Sequence, residues 1–372
     1  MAKDLYIVFP QYDEKIHATK DPGVIATMLR QRRRVVILCT GENLDPTCRM
    51  INETEICQGD WLPTQPAIIL IYHGGKIYLP LIRRAKAGGH RVIIKTDTDG
   101  HLLRKIYNPF SPEMPPVLRS VDVGVKPLLR HWLRMTPWGL RQWAEKRGLP
   151  EADYIIVETS MAYQAFSRAF PDFRETVLLI PNGAFFSEVV EPGPKKNTVI
   201  AVGRWEDLPT KHPELLIKTI DGIARTHPAW NFMIVGSYDR QLGEMYDRLD
   251  SMVRNRITLM GPMEHSNVIK QMESCKILLS TSRWESFALV GAEALSRGCS
   301  LVCTPTAMAT LTAGGLLGTV ADGWTAVATV SALATEMKYW ELQLRNPRDI
   351  ICAARPLFDW QLIINKLETL CR

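Results

Sequence analysis

Short apolar runs rich in Val, Ile and Leu alternate along this chain with longer segments in which apolar residues recur at helical spacing. Strands of parallel sheets are buried on both faces and read as continuous apolar runs, so the alternation predicts βαβ units. Two series are present. The first is LYIVF (5–9), VVILC (35–39), AIILIY (67–72), RVIIK (91–95), YIIVE (154–158) and VLLI (177–180). The second is TVIAVG (198–203), NFMIVG (231–236), ITLMG (257–261), KILLS (276–280) and SLVCT (300–304), with GTVA (318–321) as a weaker last member. Between them, PNGAFFSEVVEPGPKKN (181–197) has Pro, Gly and charge but no period, as a linker does. The pattern predicts an α/β protein of two Rossmann-like domains, 1–182 and 197–355, joined by a linker over 183–196. Ligands of open α/β sheets lie outside the carboxyl ends of the strands, so two facing parallel sheets would share an inter-domain cleft.

Composition changes this picture little. A chain of 372 residues exceeds what one core usually organises, and 46% apolar with 23% charged residues is globular. No apolar run is long enough to cross a bilayer, and MAKDLYIVFPQYDEK lacks a basic segment followed by a long apolar one, so the expected location is cytoplasmic. The eight cysteines have no Cys-x-x-Cys spacing, which favours buried thiols over disulfides or zinc. Charge is more informative. Residues 1–196 hold 27 Lys and Arg against 21 Asp and Glu, while 197–372 hold 18 of each, so the whole net charge of +6 lies in the first half.

Candidate chemistry clusters after two strands of the second series. In VGRWEDLPTKHPELLIKTI the strand ends at Gly203, and Arg204 and Lys211 follow on a loop before a helix opening at Pro213. Two cations beside a helix N-terminus suit a phosphate; two solvated surface cations are the plain alternative. In RWESFALVGAEALSRG, Ser286 reads as the N-cap of a helix over 287–297 that stops near Gly298. Glu285 then precedes the helix and Glu293 lies two turns along, about 12 Å away at 1.5 Å per residue. Phe287 and Ala288 would offer free backbone N–H groups, and Ala288, Gly291 and Ala292 would let a ligand approach closely. Otherwise Glu285 serves only the helix dipole and Glu293 only faces solvent.

Gly-Arg…Lys followed by Glu-x7-Glu, each at a strand end, resembles the retaining nucleotide-sugar-dependent glycosyltransferases of the GT-B fold, the group that includes glycogen, sucrose and mannosyl-phosphoinositide synthases. The likeness covers most of the chain. ADYIIVETS (152–160) resembles the family's last N-domain strand, IPNGAFF (180–186) its pre-linker segment, and LFDWQLIINKLETL (357–370) its closing helix. The resemblance implies that residues 356–372 cross back to the N-terminal, acceptor domain, leaving the donor domain over 197–355. It implies that Arg204 and Lys211 neutralise the donor diphosphate and that Glu285 contacts the transferred sugar. Glu293 would then bind ribose hydroxyls, and Phe287, Ala288 and Leu289 would lend backbone N–H groups beside Ser286. Gly203, Gly261 and Pro262 would line the nucleotide. The donor is a nucleoside-diphosphate-sugar, with no further cofactor and no metal. TDTDG (96–100) has a metal-binding spelling but reads as turn chemistry. Ala288 departs from the family, where many relatives have glycine.

The first domain matches less closely. Gly23 stands in for the Gly-Gly pair that many relatives carry after the first strand. His73, beside Gly74 and Gly75, and Lys95, Asp97 and Asp99 end strands and are acceptor-site candidates; for His73 the alternative is a turn histidine. The segment 125–149 holds Trp132, Trp138 and Trp143 among six Lys and Arg. It reads either as a packed helix pair or as an interfacial element for an anionic membrane surface. The latter suits a glycan or lipid-linked acceptor at the cytoplasmic face. Nucleic acid is not expected, because the basic excess is modest and no recognised module accompanies it. Two rivals remain: a sugar-nucleotide 2-epimerase of the same fold, and a non-catalytic sugar-nucleotide-binding subunit.

Overall fold

The structure is a computed structural model that describes residues 2–12, 20–41, 48–72, 78–97, 149–187 and 192–371. The chain divides into two compact units. The first runs to Pro181 and also takes in Gln361–Arg372, and the second contains Asn182–Trp360.

The first unit is built on a parallel sheet of seven strands: β1 Leu5–Val8, β2 Val35–Cys39, β3 Cys48–Met50, β4 Ile68–Tyr72, β5 Arg91–Lys95, β6 Tyr154–Val157 and β7 Val177–Leu179. Their order is β3-β2-β1-β4-β5-β6-β7. Six are the apolar runs of the first series. The addition is β3, which at three residues, none fully buried, has no apolar run to betray it. One face of the sheet packs a core around Tyr6, Trp61, Ile69, Ile94 and Phe166. The closing helix Trp360–Leu370 is tied to this unit by arginines: Arg32 reaches Asn365 and Glu368, Arg33 donates to the Cys371 carbonyl, and Arg91 donates to the Leu370 carbonyl at 2.6 Å. Arginines on the last carbonyls of a helix satisfy acceptors that have no intrahelical partner.

The second unit holds a parallel sheet of six strands: β8 Lys196–Val202, β9 Asn231–Val235, β10 Ile257–Gly261, β11 Cys275–Ser280, β12 Ser300–Cys303 and β13 Gly318–Val320. Their order, β10-β9-β8-β11-β12-β13, makes β8 and β11 the neighbours at which the winding reverses. Such a switch point leaves a crevice at the carboxyl ends of the two strands. No described helix is long and apolar enough to cross a membrane.

Candidate active site at the switch point of the second sheet

The segment after β8 is shaped by a buried tryptophan. Trp205 is 2% exposed, its indole N–H donates to the Val235 carbonyl and its backbone N–H to the Ser237 carbonyl. With Trp205 turned inward, Arg204 is turned out, its side chain 77% exposed and 4.0 Å from Asp207. A single helical turn, Leu208–Lys211, follows, and His212 at φ 54° breaks it before Pro213 opens the helix Pro213–Ala224. Pro at that first position fits, since its missing N–H would have no partner there.

The segment after β11 is stitched to this one. The Arg283 N–H donates to the Thr210 carbonyl at 2.7 Å, and the Thr281 hydroxyl donates to the carbonyls of Lys211 and His212. Across that seam the Lys211 ammonium donates to Glu285 Oε1 at 2.6 Å, and the Ser282 hydroxyl donates to the same oxygen at 2.6 Å. Both partners of the ion pair are mostly buried, 18% and 12% exposed. Charges held out of water at this distance interact far more strongly than on an open surface.

The helix after Glu285 begins later than the sequence suggests. It spans Leu289–Ser296, and its N-cap is Ala288 in the left-handed region at φ 68°, not Ser286. Phe287 causes the delay: its ring is buried and meets Phe358 edge-on at 6.1 Å, which draws the chain into the core before it can coil. Leu289 and Val290, rather than Phe287 and Ala288, therefore stand first in the helix, while the Gly291 N–H already donates to the Ala288 carbonyl at 2.8 Å. The 12 Å ruler from Glu285 to Glu293 also fails, because half of that interval is not helical. At the other end Gly298 sits at φ 73°, with Cys299 N–H on the Ala294 carbonyl and Gly298 N–H on the Leu295 carbonyl, a Schellman closure.

Glu293 lies on this helix and meets a histidine that sequence reading did not single out. His265 Nε2 is 2.7 Å from Glu293 Oε1, and that hydrogen bond raises the imidazole pKa above its ordinary value. Only the position of His265 just past β10 hinted at it. Gly261 ends β10 at φ 65° with open space where a side chain would be, and the exposed Pro262 follows. Gly203 ends up against Gly236, another unanticipated residue: a Cβ on Gly236 would lie 1.8 Å from the Gly203 carbonyl oxygen.

Candidates in the first unit fare differently. Gly23 is buried in the first turn of the helix Asp21–Arg30. Lys95 does not offer its ammonium to an acceptor. It is 1% exposed, pairs with Asp21 at 2.9 Å and with Glu158, and lies over the Tyr72 ring. Burial pushes the Glu158 carboxyl up, while Asp21 and Glu158 keep Lys95 charged. Asp97 is exposed. His73, Asp99 and nearly all of the segment 125–149, including its tryptophans, lie outside the described residues.

Comparison with known proteins shows what this arrangement is similar to. Residues 185–343 match the model of glycosyl transferases group 1. The chain is 24% identical over 205 residues to a phosphatidylinositol N-acetylglucosaminyltransferase subunit of Arabidopsis thaliana, covering 52% of this chain and 43% of that one. It is 30% identical over 133 residues to the gpi3 subunit of the corresponding transferase of Schizosaccharomyces pombe, covering 34% and 28%. The chain thus spans less than half the length of the curated relatives it matches. Among solved structures it is similar to the lipopolysaccharide outer core galactosyltransferase WaaB, with TM-score 0.67, 16% identity and coverage of 99% and 98%. Anabaena HepE in complex with UDP-glucose superposes with TM-score 0.64, 15% identity and 99% coverage of each chain. The two parallel-sheet units are those of a GT-B fold.

Proposed function

We propose that this chain, whose residues 185–343 match the model of glycosyl transferases group 1, transfers a sugar from a nucleoside-diphosphate-sugar to a hydroxyl acceptor with retention of anomeric configuration. The observation that carries the reading is the Lys211–Glu285 pair across the ends of β8 and β11, with Arg204 exposed earlier on the same segment that follows β8. When a donor binds, Lys211 and Arg204 face its diphosphate, and the first N–H groups of the helix Leu289–Ser296 add to the field. Glu285, held by Ser282, orients hydroxyls of the transferred sugar. The bond from the anomeric carbon to the phosphate oxygen breaks while the acceptor oxygen bonds to that carbon on the same face. The acceptor proton passes to the departing phosphate. Charge grows on the leaving diphosphate as this happens, and fixed cations that meet it there lower the barrier without needing a metal.

UDP-N-acetylglucosamine is the first donor to test, because HepE was solved with UDP-glucose and the curated relatives are named for N-acetylglucosamine transfer. Their names also support a lipid-linked acceptor at a membrane face. In Lys211→Ala, turnover should fall by about a hundredfold or more while the melting temperature stays within a few degrees. Activity near the wild-type level would remove Lys211 from the site. A second reading, a nucleotide-sugar-binding subunit without catalysis, is favoured by the word subunit in both curated names. Slow donor hydrolysis by the isolated chain that depends on Lys211 would reject it.

A further inference from the structure

A glutamate on a two-turn helix has three free side-chain torsions and does not by itself hold its carboxylate in one place. Glu293 is not left free. It is the fifth residue of the helix Leu289–Ser296, its side chain is 17% exposed, and His265 meets its Oε1 at 2.7 Å. His265 is in turn the first residue of the helix His265–Ser274, fixed by the short connection Pro262–Glu264 to the end of β10. The contact therefore joins the carboxyl-end loops of two different strands. At 42% exposure the imidazole stands at the mouth of the arrangement rather than in the core. A carboxylate oxygen accepts, so the imidazole Nε2–H is the donor here, and the same bond raises the imidazole pKa.

We infer that His265 is a positioning residue for the donor nucleotide. It holds Oε1 of Glu293 through its Nε2–H and leaves Oε2 aimed to accept from the ribose hydroxyls. This rests on the reading of the second unit as a nucleotide-sugar site. A carboxylate with one oxygen already bonded loses less entropy when a diol docks, so the gain is in donor affinity and not in the chemical step. A pair that only braces the two helices would affect stability alone.

The test measures binding of UDP, GDP and ADP and of their 2′-deoxy counterparts by calorimetry in wild type, His265→Ala and His265→Gln, together with melting temperatures. With the nucleotide that wild type prefers, His265→Ala should bind about tenfold more weakly, and the deficit should shrink for the 2′-deoxy form. His265→Gln, whose amide N–H can replace Nε2–H, should recover most of the affinity. In donor kinetics the loss should appear in KM, with kcat within about twofold. A His265→Ala variant that binds its nucleotide as wild type does, with only a lower melting temperature, would overturn the role of His265 and leave the nucleotide site standing. Wild type that binds none of the three nucleotides would overturn both.

Discussion

Ala288 and His212 carry the two left-handed bends beside the candidate site, and they are two of four non-glycine residues with positive φ among those described. Backbone held there costs about 1–2 kcal/mol for a residue with a Cβ, and such costs gather where ligand geometry matters. The resemblance to the GT-B family marked Ala288 as a departure from an expected glycine, so the sequence flagged the position but not its reason. Ala288→Gly should raise the free energy of urea unfolding by about 1 kcal/mol with an unchanged m-value; a loss of stability would mean that the Ala288 methyl group contributes more by packing than the bend costs. His212 adds a second consequence. Burial, helped by the charge of Arg283, lowers its imidazole pKa to about 4, and its Nδ1 is buried without a hydrogen-bond partner among the described residues. The unfolded chain takes up this proton near pH 6.5 and the folded one near pH 4. The contribution is therefore complete above pH 6.5 and is lost as pH falls toward 4. His212→Asn tolerates the same bend, and its stability should fall less steeply than that of wild type across this window. Parallel curves would contradict the assignment.

Among elements, the strands were the legible part and the strand ends were not. Apolar runs are a local property, so every strand from β8 to β13 falls on a run of the second series, and only β3 escaped. The start of the helix at Leu289 is decided by Phe287 meeting Phe358, residues 71 apart in the chain, and no capping pattern around Ser286 records that contact. The His265–Glu293 bond is hidden for the same reason, its partners being 28 positions apart in the chain. Lys95 read as a cation at a strand end, and nothing near it in sequence announced that Asp21 and Glu158 would enclose it. Glycines show the same split. Gly236 at φ 117° faces the Gly203 carbonyl with no room for a Cβ, whereas Gly243 in the helix Arg240–Asp247 faces open space. Gly236→Ala should destabilise by about 3 kcal/mol or more in thermal or urea unfolding, while Gly243→Ala should stabilise by up to about 1 kcal/mol. Equal effects at the two positions would mean that the ends of β8 and β9 are looser than described.

For the molecule as a whole, charge is unevenly divided. The excess of +6 belongs to residues 1–196, while residues 197–372, which hold most of the match to glycosyl transferases group 1, are balanced. A basic half suits an acceptor held at an anionic surface, and the tryptophan-rich segment 125–149 is the part of the sequence that proposes it. The protein should co-sediment with vesicles containing anionic lipid and be released by salt; equal binding to neutral vesicles, or none, would reject the membrane reading. The central claim concerns the other half. The measurement that reaches it most directly is proton NMR of the sugar first released when the protein hydrolyses UDP-N-acetylglucosamine, or the nucleotide-sugar it prefers, without acceptor. Sugar of the donor's own anomeric configuration, formed by wild type and not by Lys211→Ala, is the predicted result. An inverted sugar, or an epimerised donor with no sugar released, would contradict it.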